Sequence, residues 1–205
     1  MLDRLLGIAT KTSQVLVWIG GCMLLFAAAL TTTEVLLRKF ANFSFGGADE
    51  ISGYMFAIST AFAFSFAMMQ RAHVRIDALY MHLPRPIQLF LDVAGFLALG
   101  TFFILMFWRG YFVWEGSWEN NSVSITPMVT PLDIPQGFWV VGLAFCVLCF
   151  IILAMRVAQA VIQRDWVCVT KLISARSLEE EIAEETQNAA AELEREHQLQ
   201  ARRGS

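Results

Sequence analysis

Residues 12–33 read TSQVLVWIGGCMLLFAAALTTT, a run of 22 without a charged side chain. An α-helix rises about 1.5 Å per residue and a bilayer's hydrocarbon core is about 30 Å thick, so about 20 such residues suffice to cross it. Three further stretches meet the same requirement. Residues 51–70 and 134–155 are uncharged, and residues 86–108 carry only Asp92. The sequence therefore predicts an all-α integral membrane protein with four transmembrane helices, at about 12–37, 51–70, 87–108 and 134–155. The whole chain agrees: 57% of its 205 residues are hydrophobic, 16% are charged and the mean hydropathy is +0.55, far from the composition of a soluble domain. The first run is longer than a signal-peptide core and leads into Glu34, Arg38 and Lys39 rather than a small-residue cleavage site, so it is expected to stay as an anchor.

Charge sets the orientation. Arg4 and Lys11 precede the first span, Arg38 and Lys39 follow it, Arg71, Arg75 and Arg85 lie between the second and third, Arg109 follows the third, and seven bases follow the fourth. Cytoplasmic segments retain Lys and Arg, so placing both termini in the cytoplasm leaves twelve bases inside and three outside. The third loop, roughly 109–136, then faces the exterior, with Trp108, Trp114, Trp118 and Trp139 at the interface. The net charge of −3 divides unevenly: residues 174–205 hold four bases and eight acids, and residues 1–173 eleven bases and ten acids. There is no basic excess for nucleic acid.

Outside the spans, residues 1–11 place Leu2, Leu5, Leu6 and Ala9 on one helical face, which predicts a short interfacial helix. Residues 161–205 form a cytoplasmic tail, acidic from residue 174, in which Ser177 and Glu180 have capping-box spacing and a solvated helix follows. Cys22, Cys146, Cys149 and Cys168 lie in or beside apolar stretches, an arrangement that suits packing better than a disulfide framework, a zinc site or thiol redox chemistry.

Ionisable groups inside a membrane are costly, so each has a functional and a structural reading. Glu34 and Arg38 are four apart and can pair on one helical face, as part of an ion path or as an interfacial pair that fixes helix depth or meets a partner. Asp49 and Glu50 open the second helix, where carboxylates complement the helix N-terminus; a cation site would need further oxygens from other elements. Gly53, Ala57, Ala61 and Ser65 recur every four residues in the second helix, a small-residue stripe that lets another helix approach closely, in this chain or in a partner. The run Arg71-Ala72-His73-Val74-Arg75-Ile76-Asp77 is the densest polar cluster of the membrane body and reads as a basic cytoplasmic turn. All five prolines lie in loops or at helix borders, so the broken helices that build midplane sites in secondary transporters are not expected.

These residues resemble a known family. EVLLRKF (34–40) closing the first helix, ADEISGY (48–54) opening the second, RAHVRID (71–77) followed by Leu83-Pro84, and Ile134-Pro135 opening the fourth are similar to the small membrane subunit of the tripartite ATP-independent periplasmic (TRAP) transporters, the DctQ-like family, over roughly residues 10–160. The resemblance implies a non-catalytic scaffold in the bacterial inner membrane, bound to a large membrane subunit that holds the substrate and sodium sites. It also implies a periplasmic binding protein that delivers a small organic anion for uptake driven by an ion gradient. On this reading the chain has no catalytic, substrate, metal or cofactor site of its own. Glu34, Arg38, Asp49, Glu50, Gly53, Ala57, Ala61, Ser65, Arg71, His73, Arg75 and Asp77 become candidates for structural or partner contacts. The third loop is long enough to reach such a binding protein. The alternative is a membrane anchor of a redox or signalling complex, with His73, His82 and the acidic tail as contacts.

Overall fold

A computed structural model describes residues 2–44, 46–71 and 83–173, together with 186, 189 and 190. Among the described residues there are five helices: α1 (Leu2–Phe40), α2 (Ala48–Met69), α3 (Arg85–Glu119), α4 (Asp133–Ile162) and α5 (Trp166–Ile173). The first four are long and apolar enough to span a membrane. Among the described residues there is no strand, only a single bridge between Val123 and Pro131.

Three of the four long helices exceed what a bilayer needs. At about 1.5 Å per residue, the 39, 35 and 30 residues of α1, α3 and α4 reach about 58, 52 and 45 Å, whereas the 22 of α2 reach about 33 Å. Residues 2–11, expected as a separate interfacial helix, form one rod with the first span. Residues 109–119, expected within the third loop, continue α3 for about three turns and leave only 120–132 as the connection. Arg109, Glu115 and Glu119 end the apolar run, but a charge does not end a helix. Aromatic residues one turn apart sustain it, with ring centroids of Tyr111 and Trp114 5.9 Å apart and of Trp114 and Trp118 6.0 Å apart.

The helix ends have visible causes. After α3, Asn121 takes a left-handed conformation (φ 46°), and the Ser122 and Asn121 amides donate to the carbonyls of Ser117 and Trp118. This satisfies carbonyls that the last turn leaves open. Arg164 (φ 56°) ends α4 in the same way, with the Asp165 amide on the Ala160 carbonyl. Asp165 then caps α5, its carboxylate accepting from the Cys168 amide at 3.0 Å. Pro84 and Pro86 start α3, where a missing amide hydrogen does no harm.

The helices lie side by side in the order α1, α2, α4, α3, with α1 also reaching α4 and α5 packing across the ends of α3 and α4. Asp3 at the start of α1 pairs with Arg156 near the end of α4. Glu50 at the start of α2 is hydrogen-bonded by Thr126 of the α3–α4 connection. The bundle thus has a terminal end, with the start of α1 and with α5, and a hairpin end, with the α1–α2 turn and residues 120–132. Lipid tails are as apolar as the side chains, so helices gain by close contact between small surfaces rather than by leaving water. Gly20 packs on the backbone of Ser59, Gly142 on Ala61 and Phe62, and Gly100 under the ring of Phe150. Around these seams Met68, Phe103, Cys146 and Phe150 form one core cluster, and Ala9, Cys149 and Ile152 another. Val157, Ala160 and Val169 form a third, which holds α5 in place.

Candidate partner interface

The charged residues of the bundle collect towards its ends. At the hairpin end of α1, Glu34 is 2% exposed and its carboxylate accepts hydrogen bonds from Arg38 at 3.0 Å and from the Ser44 hydroxyl. Arg38, one turn on, is 59% exposed. The pair therefore has one buried and one solvated partner, and Ser44 adds a tie from the carboxylate to the α1–α2 turn. Across that turn Glu50 accepts from the Tyr54 hydroxyl at 2.7 Å and from Thr126, while Ser124 and Thr126 share a hydroxyl bond of 2.8 Å. Asp49 is exposed. These groups act as clamps, joining α1 to its turn and α2 to the α3–α4 connection.

The small-residue stripe of α2 divides between two environments. Ala61 and Ser65 are fully buried, Ala57 is half-buried, and Gly53 is exposed with open space where a side chain would stand. A spacing of four drifts about 40° per step around a helix of 3.6 residues per turn, so the four residues cannot share one face. Ala61 meets Gly142 of α4, which uses that part of the stripe within the chain. The chain's longer seam was not singled out from sequence. The buried residues of α1 are Ala9, Ser13, Gly20, Ala27 and Glu34, and the last four are spaced by seven. A spacing of seven, carried by small residues at Ser13, Gly20 and Ala27 and continued by Glu34, is the signal that marks it. On the facing helix Ser52 bonds Thr31 at 2.8 Å, and Ser59 stands opposite Gly20.

Arg71 is half-buried at the terminal end of α2, its backbone left-handed (φ 54°) and its amide donating to the Met68 carbonyl at 3.1 Å. His73, Arg75 and Asp77 lie outside the described residues, as does His82. Cys146 and Cys149 are fully buried in the helix core, and Cys22 is exposed on α1. Among the described residues no three His, Cys, Asp or Glu side chains gather closely enough to hold a metal. An open apolar hollow of about 510 Å³ lies against α1 and α2, lined by Trp18, Ile19, Cys22, Met23, Phe26 and Met55. Its walls offer no group to orient a polar solute.

Fold and polar geometry together define a multi-pass helical membrane protein held by close small-residue seams and clamped at one end by hydroxyl–carboxylate bonds. The sequence profile of the tripartite ATP-independent periplasmic transporters, DctQ component, matches residues 27–161, and the chain belongs to this family. No curated protein and no solved structure matches it. The family makes it a TRAP transporter small subunit, a transport component of the inner membrane.

Proposed function

We propose that this chain is a scaffold: it supports the large membrane subunit of a TRAP transporter during ion-gradient-driven uptake of a small organic anion that a periplasmic binding protein delivers. The reading rests on the family match across residues 27–161. It is supported by the placement of the polar side chains, since Glu34, Arg38, Asp49 and Glu50 lie at helix ends, where Glu34 and Glu50 tie elements together. Substrate and sodium sites are assigned to the large subunit, and both termini of this chain to the cytoplasm, following the distribution of Lys and Arg.

Reconstitution tests the proposal. The tagged chain, expressed with its genomic neighbours, is expected to retain a much larger membrane protein through purification. Proteoliposomes holding both membrane proteins and supplied with the binding protein take up solute when an ion gradient is imposed, and those holding this chain alone do not. Uptake by the chain alone would refute the scaffold reading. Reactivity of an introduced terminal cysteine toward an impermeant reagent in intact spheroplasts would refute the assigned orientation.

A further inference from the structure

Residues 120–132 (NNSVSITPMVTPL) carry no charge. They fold into a small hairpin in which the Ser124 amide donates to the Thr130 carbonyl at 2.9 Å and the Leu132 amide to the Ser122 carbonyl at 3.0 Å. At the tip the Val129 amide donates to the Thr126 carbonyl at 3.1 Å, and the Thr130 amide to the Ser124 hydroxyl at 3.2 Å. Polar groups are thereby turned inward on one another and on Glu50. At the tip what faces outward is apolar, with the exposed Asn120 and Asn121 confined to the base beside α3: Ile125 is 105% exposed, and Val123, Met128 and Val129 are each about half exposed. Val129 holds a left-handed backbone (φ 49°), a costly conformation for a β-branched residue, which persists only where the surroundings impose it.

The hairpin's depth follows from its anchor. Thr126 donates to Glu50 in the first turn of α2, and the Met128 side chain lies against Gly47 just before that helix. The 22 residues of α2 cover about 33 Å, close to the hydrocarbon thickness of about 30 Å, so the first turn of α2 lies at the membrane boundary. Trp118 and Ile134, on either side of the hairpin, are exposed as well, as suits side chains at headgroup level. We propose that the apolar tip of this hairpin, Ile125 with Val123, Met128 and Val129, inserts into the headgroup–acyl boundary of the lipid bilayer and anchors the hairpin end of the bundle there. Lipid fits better than a soluble protein. The segment offers no charge to steer or orient such a partner, whereas a charge-free apolar surface is what the bilayer boundary accommodates.

The test places photoreactive benzoylphenylalanine at position 125 in the full chain, co-expressed with its partners in native membranes, and compares it with the same residue at exposed Glu119. Irradiation at 125 is expected to yield phospholipid adducts by mass spectrometry, several-fold above the yield at 119, and adding the purified binding protein is expected to leave that yield unchanged. A protein–protein adduct as the main product at 125 would make the tip a protein-docking element and overturn the proposal. Lipid adducts no more abundant at 125 than at 119 would overturn it too.

Discussion

A single methyl group at position 100 measures how closely α3 and α4 are joined. A Cβ built on Gly100 runs into the ring of Phe150, which is 8% exposed and is stacked on Phe96 with centroids 4.9 Å apart, so the ring cannot simply swing into solvent. Gly95, on the same helix, has no atom within 4 Å of the corresponding point. Replacing glycine by alanine inside a helix favours the helix by about 0.8–1 kcal/mol at either position. At Gly100 the collision adds an overpacking penalty of about 1–3 kcal/mol. Gly95→Ala is therefore expected to stabilise the chain, while Gly100→Ala is neutral to about 2 kcal/mol destabilising. Since both residues lie on one helix the propensity terms cancel, and the difference of about 1–3 kcal/mol isolates the packing. For a chain of this size that corresponds to roughly 2–12 °C in apparent Tm. The assay is thermal loss of the monodisperse peak in detergent at a fixed heating rate. It is repeated in a Phe150→Leu background, where the added methyl has room and the penalty shrinks. Equal shifts for the two alanines, or a difference that Phe150→Leu leaves untouched, would refute the account of the α3–α4 seam.

Other substitutions probe the remaining contacts. Arg38→Ala takes the counter-charge from the buried Glu34 carboxylate and is expected to cost about 1–3 kcal/mol, more than Glu34→Ala, which leaves a mostly exposed arginine that water can solvate; a larger Tm loss for Glu34→Ala would contradict this ordering. Ala61→Phe is expected to abolish the folded chain, because Ala61 is fully buried against Gly142 of α4, while Gly53→Phe leaves the yield of the isolated chain intact on size exclusion. Arg164→Gly relieves a left-handed backbone at the end of α4 and should raise Tm by the equivalent of about 1 kcal/mol; a fall would show that the arginine side chain makes a contact worth more. Asp3→Arg breaks an ion pair whose carboxylate is 79% exposed, and its effect on Tm is expected to stay below about 1 kcal/mol.

The small-residue stripe shows where a linear pattern misleads. Read along the chain, Gly53, Ala57, Ala61 and Ser65 form a regular row, yet the drift of a four-residue step carries Gly53 to open surface and Ala61 into the α4 seam. The spacing of seven at Ser13, Gly20, Ala27 and Glu34 was equally present in the sequence, and it marks the α1–α2 seam because it keeps to one side of a helix. Glu34 illustrates a second limit. Its pairing with Arg38 follows from the interval of four, but its burial and its bond to Ser44 depend on how the α1–α2 turn folds back.

The number of spans and their apolar limits were determined by the sequence alone, because crossing a hydrocarbon layer requires an uncharged run of fixed minimum length, a condition that each segment satisfies or fails by itself. The family was legible for a related reason, since its motifs lie at the borders of those spans. Three features belonged to the tertiary structure: which helices are neighbours, how far α1 and α3 continue beyond their apolar runs, and that residues 120–132 close into a hairpin clamped to Glu50. In a bilayer every helix surface is apolar, so hydrophobicity does not choose partners. Close contact between particular small surfaces does, and that is a property of two segments together.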